Sequence, residues 1–137
     1  MKRQILMVAA LGCLWLPGTM AAHAQSAVIV KIPFPFVVGD HTFPDGEYRV
    51  SSIQDKVLVQ NSEGKTVAVA LSNAASGRST GVSGQVVFHC YERLCFLSEL
   101  WIPSQDGGRR LMKSLWETGI GKAKAPVMFA LVGMRKN

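Results

Sequence analysis

The chain has 137 residues, and its 15 Lys and Arg residues against 9 Asp and Glu residues give a formal net charge of +6. Hydrophobic residues make up 48% of the chain and charged residues 18%. This length fits one domain and excludes a multidomain enzyme, and the apolar fraction excludes a disordered chain. The three cysteines are too few for a disulfide-dense miniprotein or a four-cysteine zinc site.

The N-terminal segment, residues 1–24, has the order of a secretory signal peptide. A short basic start is followed by an apolar run over residues 5–16 and by the small residues of Ala22-His23-Ala24. The run is shorter than the roughly 20 residues of a membrane span, which disfavours an anchor. We therefore predict export to the periplasm or the medium, with cleavage between Ala24 and Gln25.

A lipoprotein cleavage site at Leu11-Gly12-Cys13 is the less favoured alternative, because the apolar run continues beyond Cys13. Cleavage after Ala24 removes 24 of the 137 residues and two of the basic ones, and leaves 113 residues with a net charge of +4. Two cysteines, Cys90 and Cys95, then enter an oxidising compartment.

The segment after the signal, residues 25–118, has the pattern of an all-β domain. It is rich in valine, which is stiff at χ1 and suits a pleated sheet. Turn signals such as Gly39-Asp40, Pro44-Asp45-Gly46 and Ser62-Glu63-Gly64 separate its short apolar runs, roughly every 8–12 residues as in a sandwich or barrel. We predict one small antiparallel meander that closes into a barrel or a sandwich.

Two segments near the C-terminus are ambiguous. Residues 109–117 are predicted as a strand that extends the meander, although their apolar residues would also form the stripe of a helix. The tail, residues 119–137, starts with a flexible basic stretch and continues as an apolar run. A closing strand is the favoured interpretation of the tail, and a segment that detaches to meet a partner is the alternative.

Cys90 and Cys95 are placed to face each other across a hairpin. If Glu92-Arg93 is a two-residue turn, both cysteine side chains lie on the same face at a spacing that a disulfide can bridge. We therefore predict a Cys90–Cys95 disulfide. Two free buried cysteines are the alternative, because Glu-Arg is an unfavourable turn pair.

The sequence predicts no catalytic residue, no metal site and no cofactor. His89 and Cys90 are neighbours on a predicted strand, so they would point to opposite faces and could not share one ion. Gly81-Val82-Ser83-Gly84-Gln85 lacks the last glycine of the G-x-S-x-G motif. Gly64-Lys65-Thr66 resembles the end of a P-loop, but it lacks the first glycine and reads as a hairpin turn.

Two sets of side chains are candidates for binding. Four aromatic residues could line a ligand cavity in a small barrel, or they could fill its core: Phe36, Tyr48, Trp101 and Trp116. Six basic residues are predicted as a patch for acidic polysaccharide or lipid head groups: Arg109, Arg110, Lys122, Lys124, Arg135 and Lys136. The alternative for the basic set is a solvated edge that prevents aggregation. The predicted export argues against nucleic acid as a partner.

Four segments resemble one known family. They read IPFPFVVG over residues 32–39, FPDGEY over 43–48, VFHCY over 87–91 and CFLSELW over 95–101. They resemble small exported proteins of unknown function, abundant in acidobacteria, that share the patterns VPFxFxVGxxxxPAGxY and FxxYxxxYFLxxxW. This chain departs from those patterns at Asp45 and at its two cysteines. The resemblance implies an exported all-β domain, and it assigns no functional residue.

These observations predict a non-catalytic envelope or secreted module with a binding or structural role. Its partner would be an envelope polysaccharide, a lipid or another envelope protein. A small barrel that carries an apolar ligand inside is the alternative. A carbohydrate-active surface enzyme is a weaker one, since it needs two of Glu47, Glu99 and Glu117 to face each other across a cleft.

Overall fold

The computed structural model describes residues 26–77, 83–103 and 107–136, which form ten strands and one short helix. The predicted cleavage site at Ala24 and the alternative at Cys13 lie outside these residues. The elements are β1 (Ala27–Ile32), β2 (Phe36–Val38), β3 (His41–Phe43), β4 (Gly46–Ile53), β5 (Lys56–Gln60), β6 (Thr66–Ala75), β7 (Gly84–Tyr91), β8 (Leu94–Trp101), β9 (Gly108–Leu111), α1 (Leu115–Gly121) and β10 (Val127–Lys136).

Eight of the strands close into an antiparallel barrel. Their order around the ring is β8-β7-β10-β1-β4-β5-β6-β9, and β9 pairs again with β8. The short β2–β3 hairpin lies outside the ring, where β2 runs parallel to β8 and Val37 pairs with Phe96. The prediction of a single antiparallel all-β domain that closes into a barrel or a sandwich is confirmed, and the structure has the barrel.

The chain path contains two runs of hairpins and one return. The strands β4, β5 and β6 follow each other around the ring, and so do β7, β8 and β9. The last strand, β10, then returns to lie between β7 and β1, so that β10, β7, β8 and β9 form a Greek key. Residues 127–136 of the tail thus form a strand that pairs with both neighbours and completes the ring.

The barrel interior follows from the alternation of side chains along each strand. In β1, Val28, Val30 and Ile32 are each at most 2% exposed, whereas Lys31 between them is exposed. Phe36 belongs to the core, with its ring centroid 4.9 Å from that of Tyr48. The interior is therefore filled by side chains that the strands contribute from all around the ring.

Two glycines allow the strands to approach closely where β1, β10 and β7 meet. Gly133 of β10 pairs directly with Gly84 of β7. A Cβ atom at Gly133 would lie 2.5 Å from Cγ1 of Val28 and 2.6 Å from the carbonyl oxygen of Ile29. Glycine at this position leaves the space that Val28 occupies inside the barrel.

The prediction of a continuous strand over residues 109–117 is correct as far as Leu111 and wrong beyond it. The helix α1 begins at Leu115, and Oγ of Ser114 accepts a hydrogen bond from the backbone N–H of Glu117 at 3.1 Å. Ser114 and Glu117 have the spacing of a capping box, which is a recognised start signal for a helix.

Among the described residues, no helix is long and apolar enough to cross a membrane.

Candidate functional site

The helix α1 packs on the outer face of the barrel, over β7 and β8. We call the apolar contact beneath it the outer cluster, which consists of Val37, Tyr91, Phe96, Leu94 and Ile120. Tyr91 and Phe96 point outward because their strand neighbours Cys90 and Cys95 point into the interior core.

Trp116 joins the outer cluster from the helix side. Its ring packs edge-on against Phe96, with the ring centroids 5.3 Å apart, and 38% of Trp116 remains exposed. One face of this indole is therefore fixed by packing, while the other faces the surface.

A chain of polar side chains runs beside the outer cluster. The hydroxyl of Tyr91 donates a hydrogen bond to Oε2 of Glu117 at 3.1 Å, and Nδ1 of His89 lies 3.8 Å from the same oxygen. On the other side of the imidazole, Nε2 lies 3.3 Å from Oγ of Ser98. Glu117 and Ser98 are only 4% and 6% exposed. We call these four residues the polar chain, and they connect α1 to β7 and β8.

The surroundings of the polar chain set its protonation. Burial lowers the pKa of His89 below its usual 6.5, and this outweighs the opposing attraction of the Glu117 and Glu99 carboxylates. Burial, followed by the charge of Glu117, raises the pKa of Tyr91 above its usual 10.0. At neutral pH the imidazole is therefore mainly uncharged, and the Tyr91 hydroxyl keeps the proton that it donates to Glu117.

The polar chain contains the residue types of a serine-hydrolase triad, with His89 between Ser98 and Glu117 in space. Its environment, however, does not suit nucleophilic attack. Ser98 is buried, so a substrate carbonyl has little access to its Oγ. The 3.8 Å between Nδ1 of His89 and Glu117 exceeds a hydrogen bond, and no described residue accepts from or donates to this nitrogen. The polar chain is suited to hold α1 on the barrel.

A cleft of about 280 Å³ lies between α1, the segment that follows it and the end of β7. We call it the helix cleft, and its cationic lining consists of Lys113, Lys122 and Lys124. Lys124 forms an ion pair with Glu92 of the β7–β8 turn. Lys113 and Lys122 form no ion pair with any described residue, so the cleft has a surplus of positive charge.

An apolar rim borders the start of the helix. It consists of Met112, Leu115 and Trp116, which are 59%, 92% and 38% exposed. Within the first turn of α1, Leu115 faces away from the barrel, whereas Trp116 contacts Phe96. Glu117 accepts from the Tyr91 hydroxyl, and Ile120 reaches the outer cluster. The surface around α1 thus combines exposed apolar side chains with unpaired lysines.

The predicted Cys90–Cys95 disulfide is confirmed, and the alternative of two free cysteines is excluded. The sulfur atoms are 2.07 Å apart, and the two residues are direct partners in the β7–β8 ladder. Glu92 takes a positive φ of 58°, which is how the Glu92-Arg93 turn reverses the chain without a glycine. The disulfide thus links the two strands of the hairpin whose turn contains Glu92, the ion-pair partner of Lys124.

The four aromatic residues proposed for a ligand cavity do not line one space. Phe36 and Tyr48 pack against each other in the interior, and the Tyr48 hydroxyl donates to the carbonyl of Pro44 at 2.7 Å. Trp101 is 3% exposed and points away from that interior, because its neighbour Leu100 points in. Trp116 lies outside the barrel on α1. Packing is therefore the role that the described contacts give to this set.

The six predicted basic residues do not form one patch. Arg109 donates to Oγ and the carbonyl oxygen of Ser72 at 2.9 and 2.7 Å, which ties β9 to β6. Arg110 lies 3.6 Å from the buried Glu99 carboxylate. Only Lys122 and Lys124 belong to the helix cleft.

The remaining two basic residues, Arg135 and Lys136, lie at the other end of β10. Arg135 follows Val127 by eight residues of β-strand, which is a distance of about 27 Å between the two backbone positions. Residues that are close in the C-terminal sequence are thus separated by the length of the barrel.

The three glutamates considered for catalysis are also dispersed. Glu47 lines a separate cleft with Tyr48 and Asn61, whereas Glu117 lines the helix cleft, and neither cleft contains a second carboxylate. Glu99 is buried beside Arg110. Within residues 26–77, 83–103 and 107–136, no group of three metal-ligating side chains is assembled.

No protein-family model, no curated protein and no solved structure matches this chain. The resemblance to exported acidobacterial proteins stays a prediction. The structure itself defines a small closed β-barrel with a helix attached to its outer face. The surface around that helix was not predicted from the sequence as one site, although the Ser114–Glu117 capping signal could have located it.

Proposed function

We propose that this protein is an exported, non-catalytic binding module of the cell envelope that uses the surface around α1. The observation that supports this function is the filled interior of the barrel, where Phe36, Phe88 and Leu100 are each 1% exposed or less. A carrier for an apolar ligand needs a cavity of several hundred Å³ inside the barrel. Binding at the helix cleft and the apolar rim needs no such cavity.

Export is supported by two independent features. Residues 1–24 have the order of a signal peptide. The Cys90–Cys95 disulfide is the form expected in an oxidising compartment. We propose that the mature chain starts at Gln25 and functions in the periplasm or outside the cell.

A non-catalytic role is supported by the way the reactive side chains are used. Ser98, His89 and Glu117 are occupied in holding the helix, and Glu99 is adjacent to Arg110. The two clefts described above present one carboxylate each, whereas hydrolysis of a glycosidic bond needs a pair.

Native mass spectrometry of the protein purified from the periplasm or the medium tests export and the absence of a ligand inside the barrel together. We expect a chain that starts at Gln25, that gains two hydrogens on reduction and that holds no apolar ligand. A retained apolar ligand would favour the carrier, and a lipid attached to Cys13 would overturn the proposed location.

Sedimentation with a bacterial envelope fraction tests the binding surface. We expect the mature wild-type protein to sediment with the fraction and the Leu115→Ser, Lys122→Gln double variant to stay in the supernatant. A matched control exists in Leu71 and Lys56, which are exposed partners in the β5–β6 ladder. The Leu71→Ser, Lys56→Gln variant should sediment like the wild type, and equal loss in both variants would contradict the proposed site.

A further inference from the structure

We infer that the partner of the α1 surface is an anionic phospholipid membrane, on which the module docks with its apolar rim inserted among the lipids. This inference rests on the proposed binding function and names its partner. Three features of the described residues carry it: the extreme exposure of the rim, the surplus of lysine beside it, and the rigid attachment of the helix.

The apolar rim presents side chains that water does not favour. Leu115 is 92% exposed and Met112 59%, and Leu115 is the most exposed large apolar side chain among the described residues. Trp116 stands between them and the barrel, with its ring against Phe96 and its remaining surface free. An aliphatic tip with a half-exposed indole at its base matches the depth profile of a membrane interface, where tryptophan prefers the headgroup level.

The charges beside the rim complement an anionic surface. Lys113 and Lys122 line the helix cleft and form no ion pair with the described residues, and the cleft's acid, Glu117, is buried and accepts from Tyr91. Exposed cations beside an inserting apolar side chain attract the phosphates of acidic lipids. The cleft between these lysines offers a place for a headgroup phosphate.

The helix is presented in a fixed orientation. The outer cluster, the contact of Trp116 with Phe96 and the polar chain attach the helix to the barrel. The Ser114 cap orders its first turn, so the rim does not need to become ordered when it docks. The three side chains of the rim are too few for a standard protein interface, which buries about 800 Å² on each partner. Insertion of a small tip among lipids needs no such area, and this favours a membrane over a protein partner.

Flotation with vesicles of defined composition tests the inference. We expect the mature protein to float with vesicles of phosphatidylcholine and phosphatidylglycerol, to stay behind with phosphatidylcholine alone, and to release at high salt. Tryptophan emission should shift to shorter wavelength on binding, and the shift reports Trp116 because Trp101 is already buried.

Single variants separate the two contributions. Lys122→Gln should weaken binding to the mixed vesicles about fivefold, the equivalent of one lysine at an acidic membrane surface. Leu115→Ser should weaken it about tenfold or more through the loss of the buried side chain. The Leu71→Ser, Lys56→Gln control should bind like the wild type, and unchanged thermal melting of all variants shows that they fold.

The outcomes distinguish the inference from the function on which it rests. The membrane inference is overturned if binding to the envelope fraction depends on Leu115 but the protein binds none of the vesicles. It is also overturned if protease treatment of the envelope fraction abolishes the binding. In both cases the protein remains a binding module, with a polymer or protein as its partner. Equal binding to both kinds of vesicle, or binding that Leu115→Ser and Lys122→Gln leave unchanged, also overturns it. Failure to bind either vesicles or the envelope fraction overturns the proposed function itself.

Discussion

The interior of the barrel and the outer cluster both join parts of the chain that are far apart in sequence, but they use different chemistry. The interior is apolar, and its members Phe36 and Phe88, which contact each other, need only to fill space. The outer side adds a buried carboxylate, a phenol and an imidazole, in Glu117, Tyr91 and His89. Stability of the interior thus depends on volume, whereas attachment of α1 depends also on hydrogen bonds and on protonation.

This difference indicates which region can change without the other. Loss of an interior side chain leaves a cavity that affects several strands of the closed ring. Loss of one contact under α1 affects a seven-residue helix whose backbone hydrogen bonds are its own. The surface that we propose for binding therefore lies on an element whose contacts can be changed with less effect on the closed ring.

The largest expected effect is that of Phe36→Ala. The ring is 1% exposed and contacts Tyr48 and Phe88, so we expect the free energy of unfolding to fall by about 3–5 kcal/mol. Trp116→Ala, the matched change beside the outer cluster, should cost less because Trp116 is 38% exposed and its loss leaves no enclosed cavity. Urea denaturation followed by circular dichroism measures the free energy of unfolding of both variants. Equal losses would show that the interior and the outer cluster contribute alike to stability.

Removal of the disulfide should have the next largest effect. The Cys90→Ala, Cys95→Ala double variant closes no loop, and for a sequence separation of 5 the chain-entropy relation predicts a loss of about 2 kcal/mol. Reduced wild-type protein should show a similar loss in the same denaturation experiment. A variant as stable as the oxidised wild type would show that the ladder alone holds this hairpin.

The helix cap should contribute less and should act locally. Ser114→Ala removes the acceptor for the Glu117 N–H, and we expect a loss of about 1 kcal/mol. Hydrogen exchange should accelerate at Thr118, whose N–H donates to the Ser114 carbonyl, and should stay unchanged in β7. Faster exchange throughout the barrel would mean that α1 and the ring unfold as one unit.

The smallest expected effect is the pH dependence of His89. Because burial lowers its folded-state pKa, the unfolded chain binds the proton more readily, and stability should fall as the pH drops below 6.5. The slope should stay below the limit of about 1.4 kcal/mol per pH unit for one proton, since Glu117 opposes the shift. Thermal melts between about pH 7.5 and about pH 5.5, which span the histidine titration, should show this dependence of stability on pH in the wild type and not in His89→Gln. A rise in stability on acidification would contradict this sign.

Local patterns were sufficient for most of the barrel. The alternation in Ala27–Ile32 sets one face of β1 toward the core whatever its neighbours are. The spacing of Cys90 and Cys95 about a two-residue turn predicted both the hairpin register and the disulfide that the structure shows. Such features depend on residues within a few positions of one another, which is why they can be predicted from one sequence.

The candidate site around α1 could not be predicted from such local patterns. The capping signal at Ser114 places Trp116 in a helix. No local signal shows that this helix lies on the outer face of the barrel while Phe36 lies in the core. His89, Ser98 and Glu117 come from three elements, so their proximity depends on where α1 docks. The basic residues failed as a patch for the same reason, because a strand carries chain neighbours to opposite ends of the barrel.

The sequence by itself determined the all-β class, the hairpin with its disulfide and the segments that alternate between core and surface, because these follow from periods and turns of a few residues. The tertiary structure alone decided that β10 lies between β7 and β1, that side chains fill the interior, and that α1 rests on the outside with Leu115 exposed beside lysines. Those facts arise from long-range packing, in which each position depends on surfaces contributed by the rest of the chain.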